Sequence, residues 1–179
     1  MGAGVLALGA VGLGVRRGAT HPVPALQAFD ARAFRTLEAV VDRVVPGGDG
    51  FPSPRELGIA AQIDAHVATL HPADQAELQQ ALHLLENALA GLLLDGRTQP
   101  FSVASPEARD RALRAWQSSS IGALRRGFKA LRGLCASTYF GNPAVYAAVG
   151  YPGPPDFGQA GAPAIQPVQR SREQPREQP

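Results

Sequence analysis

A single cysteine among 179 residues rules out an internal disulfide and every zinc site built on several cysteines. Aromatic residues are scarce at 6%, and charged residues make up only 18%. The 17 Lys and Arg nearly cancel the 15 Asp and Glu, so the pI near 9.1 reflects a small arginine excess. No dense basic stripe stands out, and nucleic acid is not an expected partner. No uncharged apolar run reaches the roughly 20 residues that span a bilayer. There is no internal repeat, and no strict apolar–polar alternation that would suggest a sheet. What the chain does have is 20 glycines and 16 prolines, unevenly placed. It is also long enough to bury a core without a disulfide or a structural metal.

The two ends differ from the middle. Residues 2–15 are apolar and uncharged, rich in glycine and alanine, and followed by Arg16-Arg17. The length suits the apolar core of an export signal, and Val23-Pro24-Ala25 offers small residues for a peptidase. Five glycines in this stretch argue against a stable helix. Modest hydrophobicity followed by basic residues is typical of twin-arginine signals, yet Arg16-Arg17 follow the apolar run rather than precede it. The expectation is therefore that the authentic start lies upstream and carries the arginine pair. Residues 1–28 are read as this signal-like segment. Residues 158–179 are rich in Pro, Gln and Arg and poor in large apolar groups, which predicts a disordered tail. Residues 29–157 are left as one domain.

Helical spacing runs through that domain, which predicts an all-α fold of about six helices. Phe34, Leu37, Val41, Val44 and Val45 form a stripe from Asp30 to the Pro46-Gly47-Gly48 stop. Ser53-Pro54-Arg55-Glu56 reads as the start of a second helix, with Leu57, Ala60, Ile63, Val67 and Leu70 on its apolar face. His71-Pro72 starts a third, with Leu78, Leu82, Leu85, Leu89 and Leu92 on one stripe up to Asp95-Gly96. Ser105-Pro106-Glu107 caps a fourth. Ile121, Leu124, Phe128, Leu131, Cys135 and Thr138 mark a fifth, and Asn142-Pro143 opens a short sixth that ends at Gly150.

Catalytic chemistry is hard to find. The chain has no His-Glu-x-x-His, no Glu-x-x-His, no Cys-x-x-Cys-His and no Gly-x-Ser-x-Gly. His83 and Glu86 stand in the reverse order of a metal pair and occur once. The glycines of 2–4 and 12–14 precede no strand–helix crossover. No catalytic residue, metal ligand or cofactor is assigned to this chain. The alternative from a different class is a stand-alone helical enzyme or metal-binding envelope protein using Asp64, His66 and His83. Cys135 has two readings. It is either a small core hydrophobe or, in an oxidising compartment, a thiol free to pair with another chain.

The stretch from Ser105 through Trp116, Arg125-Arg126-Gly127-Phe128 and Ser137-Thr138-Tyr139-Phe140-Gly141-Asn142-Pro143 ends in Tyr146 and Gly150-Tyr151-Pro152-Gly153-Pro154-Pro155. It resembles the small (gamma) subunit family of gluconate 2-dehydrogenase and related flavin-dependent sugar dehydrogenases. Leu37 to Pro46 and Leu57 to Asp64 are similar to the N-terminal part of that family. The sequence departs at Phe140, where a second tyrosine is common, and in showing no arginine pair ahead of the apolar run.

The resemblance implies a non-catalytic subunit that helps a large partner fold and be exported. That partner is an FAD-dependent oxidoreductase of the glucose–methanol–choline type, often joined by a haem c subunit. The implied location is the periplasm or cell envelope, reached by the twin-arginine route. Candidate contact residues are Tyr139, Phe140, Tyr146, Tyr151 and Phe157, with Cys135 as a covalent option. Prolines 152, 154 and 155 would hold the last segment extended. Tyr139, Phe140 and Tyr146 have a second reading, as packing between the domain's own last two helices.

Overall fold

A computed structural model describes residues 25–45 and 47–155. Among the described residues seven α-helices succeed one another: α1 (Ala31–Val44), α2 (Ile59–Val67), α3 (Pro72–Glu86), α4 (Ala88–Leu94), α5 (Pro106–Ser118), α6 (Gly122–Phe140) and α7 (Pro143–Tyr146). A 3-10 turn, Phe101–Val103, precedes α5. Among the described residues the only β pairing is an isolated bridge between Gly48 and Phe51. The signal-like reading of residues 2–15 with Arg16 and Arg17, the Phe157 contact and the tail from 158 lie outside the described residues.

Helix α1 is the centre of the bundle and packs against α2, α3, α5 and α6. Its apolar stripe is therefore wider than the sequence pattern predicts. Ala33, Thr36, Ala39 and Val40 are buried beside Phe34, Leu37 and Val41. Ile63 and Val67 of α2, Leu82 and Leu85 of α3, and Leu131 and Cys135 of α6 close around it. Each such fully buried aliphatic side chain contributes on the order of 1.5–3 kcal/mol. Phe101 of the 3-10 turn is also fully buried. No helical period includes it, so the sequence reading passed over it.

Local chemistry sets most helix starts. The Asp30 carboxylate accepts from the N–H groups of Arg32 (2.9 Å) and Ala33 (2.8 Å). His71, Ser105 and Asn142 cap α3, α5 and α7 in the same way, each followed by a proline at the first helical position.

Two boundaries differ from expectation. The second helix begins at Ile59, because Gly58 sits in the left-handed region at φ 64° and interrupts the turn that starts at Ser53. The Ser53 cap is correspondingly long, 3.5 Å to the Glu56 N–H. The predicted third helix is two helices, α3 and α4, so the count is seven rather than six. The break lies at Asn87, which leaves helical geometry at ψ 118°. Its side chain accepts from Leu89 (2.9 Å) and Ala90 (3.3 Å), and so restarts the helix in a new direction. The buried guanidinium of Arg97 donates to the Leu85 carbonyl at the end of α3 (2.8 Å) and lies over the Phe101 ring. Leu89 and Leu92 consequently leave the predicted buried stripe.

Candidate functional site

Of the polar residues weighed as catalytic, Asp64 and His83 are tied into structure. Asp64 of α2 is buried and accepts three backbone N–H groups, from Gln27 (2.7 Å), Ala28 (3.1 Å) and Phe29 (2.9 Å). Both carboxylate oxygens are occupied in holding the segment before α1, which leaves little capacity for proton abstraction. His83 stands 2.8 Å from the Asp30 carboxylate, so it supports the α1 cap. His66 points to solvent. Glu86 is buried and accepts from Thr36 Oγ1 (3.1 Å), Ser102 N–H (2.9 Å) and Ser102 Oγ (2.6 Å). It links α1, α3 and the 3-10 turn, while His83 pairs with Asp30 instead. Among the described residues no group of three or more His, Cys, Asp or Glu is placed to hold a metal ion.

The aromatic candidates divide by position. Tyr139 is fully buried, and its hydroxyl donates to the Pro52 carbonyl (2.7 Å), tying α6 to the loop after α1. Burial pushes its phenol above the usual value. Its neighbour Phe140 is 42% exposed and meets it edge-on at 5.3 Å. Tyr146 donates to the Gly141 carbonyl (3.1 Å) and receives the Tyr151 ring edge-on at 5.0 Å. Tyr151 is 44% exposed. The end of α6, α7 and the 150–153 turn thus form a small aromatic knob with Phe140 and Tyr151 outermost. Cys135 is fully buried on the inner face of α6, and burial pushes its thiol up to about 12. A thiol so placed is protonated and shielded at neutral pH.

The sequence reading missed the strongest exposed apolar feature. Leu89, Leu92 and Leu93 of α4 are 73%, 52% and 86% exposed. Lone exposed leucines need no explanation, but three within five positions on one short helix do. Asn87 was the signal that was overlooked. An asparagine with a free N–H two and three residues on favours a cap over a continuous helix.

Two grooves flank the core. One, of about 460 Å³, runs between α1 and α2 over Phe34, Val41, Ile59 and Pro54, with Glu38, Asp42 and Glu56 at its rim. The other, of about 450 Å³, lies between α3, α5 and α6 over Leu78, Leu84, Trp116 and Leu124. Both are apolar-floored and open, which suits packing against another surface more than enclosing a small molecule.

The family model described as gluconate 2-dehydrogenase subunit 3 matches residues 31–153, which includes all seven helices. No curated protein and no solved structure matches the chain.

Proposed function

Because the chain belongs to the gluconate 2-dehydrogenase subunit 3 family, we propose that it is the non-catalytic small subunit of a flavin-dependent sugar dehydrogenase complex. In this reading a large FAD-dependent subunit of the glucose–methanol–choline type carries the redox chemistry. A cytochrome c subunit can take the electrons onward. The small subunit stabilises the flavoprotein and accompanies it, already folded, through the twin-arginine route to the periplasm or cell envelope.

The observation that carries this reading is the outward turn of Leu89, Leu92 and Leu93 on α4. Such a helix face is stabilised when a partner covers it, at roughly 25 cal/mol per Å² of apolar surface removed from water. Phe140 and Tyr151 provide a second apolar contact, of the aromatic kind that anchors interfaces. Tyr139 serves the fold of its own chain instead. The contact we propose is non-covalent, since Cys135 lies inside α6's packed face.

The test is co-expression with the large flavoprotein, followed by co-purification and a dehydrogenase assay. Leu89→Ser with Leu93→Ser is expected to leave helical content and thermal stability nearly unchanged, and to reduce co-purified flavoprotein at least about tenfold. A flavoprotein that is soluble, exported and fully active without this chain would sink the subunit reading.

A further inference from the structure

The near balance of total charge conceals a sharp segregation along the fold. From Ala25 to Asp110 the chain carries twelve acidic and six basic residues. From Arg111 to Pro155 it carries six basic residues and no acidic one. All six, Arg111, Arg114, Arg125, Arg126, Lys129 and Arg132, are exposed on α5 and α6.

None of these six has a carboxylate within ion-pair distance among the described residues, where the ion pairs are Arg43–Asp110, Arg55–Asp42, His83–Asp30 and Arg97–Asp95. Arg114 and Arg132 line one concave groove of about 210 Å³ together with Gln117, Phe128 and the Arg43–Asp110 pair. Arg125 and Lys129 stand four positions apart and Arg132 three further, so they continue the charge along one side of α6. The α5–α6 hairpin therefore presents a cationic groove and ridge in which Asp110, already paired with Arg43, is the one carboxylate among the groove's lining residues.

We infer that this α5–α6 face is the electrostatic docking surface for an acidic patch on the large flavoprotein subunit. The inference deepens the subunit reading above and rests on it. Five of the six cations are arginines, whose planar fork matches carboxylates in pairs.

Three observations favour a protein carboxylate surface over the alternatives. An anionic membrane is engaged by basic residues interleaved with inserted aromatic or aliphatic anchors. On these two helices, however, the large exposed apolar residues flanking the cations are only Ile121, just before α6, and Phe140 at its end. The groove is concave rather than a flat plane. A second copy of this chain offers only a small acidic rim, Glu38, Asp42 and Glu56 at the α1–α2 groove, where Arg55 already pairs with Asp42. Asp64 and Glu86 are buried, Asp30, Asp95 and Asp110 are paired, and the other carboxylates among the described residues, Asp49, Asp74, Glu77 and Glu107, are spread over the α1–α2 loop, α3 and the start of α5.

Oriented charge of this kind acts mainly on the association rate, raising it by about 10–10³-fold at low salt. The experiment measures association of the purified small subunit with the large flavoprotein subunit at about 0.05 and 0.5 M NaCl, which brackets strong and weak screening. The wild-type rate should fall at least about tenfold between these conditions. The triple variant Arg114→Glu, Lys129→Glu, Arg132→Glu should associate at least about tenfold more slowly at low salt and lose the salt dependence. Arg114→Lys with Arg132→Lys should stay within about twofold of wild type, because charge rather than fork geometry governs the encounter. The neutral variant Arg114→Gln, Lys129→Gln, Arg132→Gln gives the same reading if charge reversal harms the fold.

An unchanged rate and salt slope in the triple variant overturns the docking face while leaving the subunit reading intact. A wild-type chain that forms no complex with the flavoprotein overturns both. Flotation of the chain alone with phosphatidylglycerol vesicles, lost in the triple variant, overturns it in favour of a membrane. Salt-sensitive self-association in sedimentation overturns it in favour of a second copy.

Discussion

Removing the Asp64 carboxylate is the sharpest test of how this fold is held. Its two oxygens accept three backbone N–H groups from the segment just before α1, at 2.7–3.1 Å. A hydrogen bond to a charged group contributes on the order of 1.5–3 kcal/mol, but the three are not additive. The amides of Gln27 and Ala28 are only partly buried and regain water when the carboxylate goes, whereas that of Phe29 is buried and stays unsatisfied. Asp64→Ala should therefore cost about 3–5 kcal/mol. Asp64→Asn keeps one acceptor oxygen but turns an amide N–H₂ toward a backbone donor, and should cost about 2–3 kcal/mol. With a urea slope of about 2 kcal/mol/M, Asp64→Ala lowers the unfolding midpoint by roughly 2 M with the slope unchanged. Amide exchange at residues 27–29 should accelerate in step. A midpoint shift under about 0.3 M with unchanged exchange at those three amides would refute the role given to Asp64.

The bundle offers further checks. Gly91→Ala and Gly133→Ala make the same chemical change inside a helix, where alanine is normally favoured by about 1 kcal/mol. A Cβ at Gly91 would lie 2.7 Å from Arg97 Nη2 and 2.9 Å from Nε, while none of the neighbouring atoms lies within 4 Å of one at Gly133. Gly133→Ala should raise the melting temperature by a few degrees, and Gly91→Ala should lower it. Acid unfolding should show the carboxylates as well. Asp30 is held below the usual value near 3.8 by the Ala33 N–H and by His83, and Asp110 by the Arg43 guanidinium. A lowered folded-state value means the stabilisation is complete above the ordinary carboxylate range and is lost as pH falls through and below it. Asp30→Asn keeps most of the cap, so it should cost little at pH 7 and flatten the stability profile below about pH 4.

Much of the fold was legible because its punctuation is local. Asp30, His71-Pro72, Ser105-Pro106 and Asn142-Pro143 each cap a helix from their own side chain, so sequence order is enough to find them. Gly58 and Asn87 were misread for the opposite reason. Each sits inside a pattern whose apolar spacing stays intact across the break. At Gly58 the break follows from its left-handed backbone, and at Asn87 the new direction is held by what Glu86 and Arg97 bind elsewhere in the bundle. The candidate contact residues were only partly separable by sequence. Tyr139 and Phe140 are adjacent and chemically alike, yet one is inside and the other outside, because residues one apart on a helix differ by about 100°.

The scarcity of cysteine and the near-neutral charge are properties of the sequence alone, and so are the all-helical class and the family pattern of the aromatic block. Exposure could be settled only by the folded chain. It turned the α4 leucines outward, enclosed Cys135, and engaged Asp64 and Glu86 as internal braces rather than chemistry. The physical reason is that periodicity shows which residues share a helix face, while burial depends on which faces find a neighbour. The same holds for charge. The run of six cations without an acid could be read from the order of residues, but their gathering on one exposed hairpin is a result of how α5 and α6 pack.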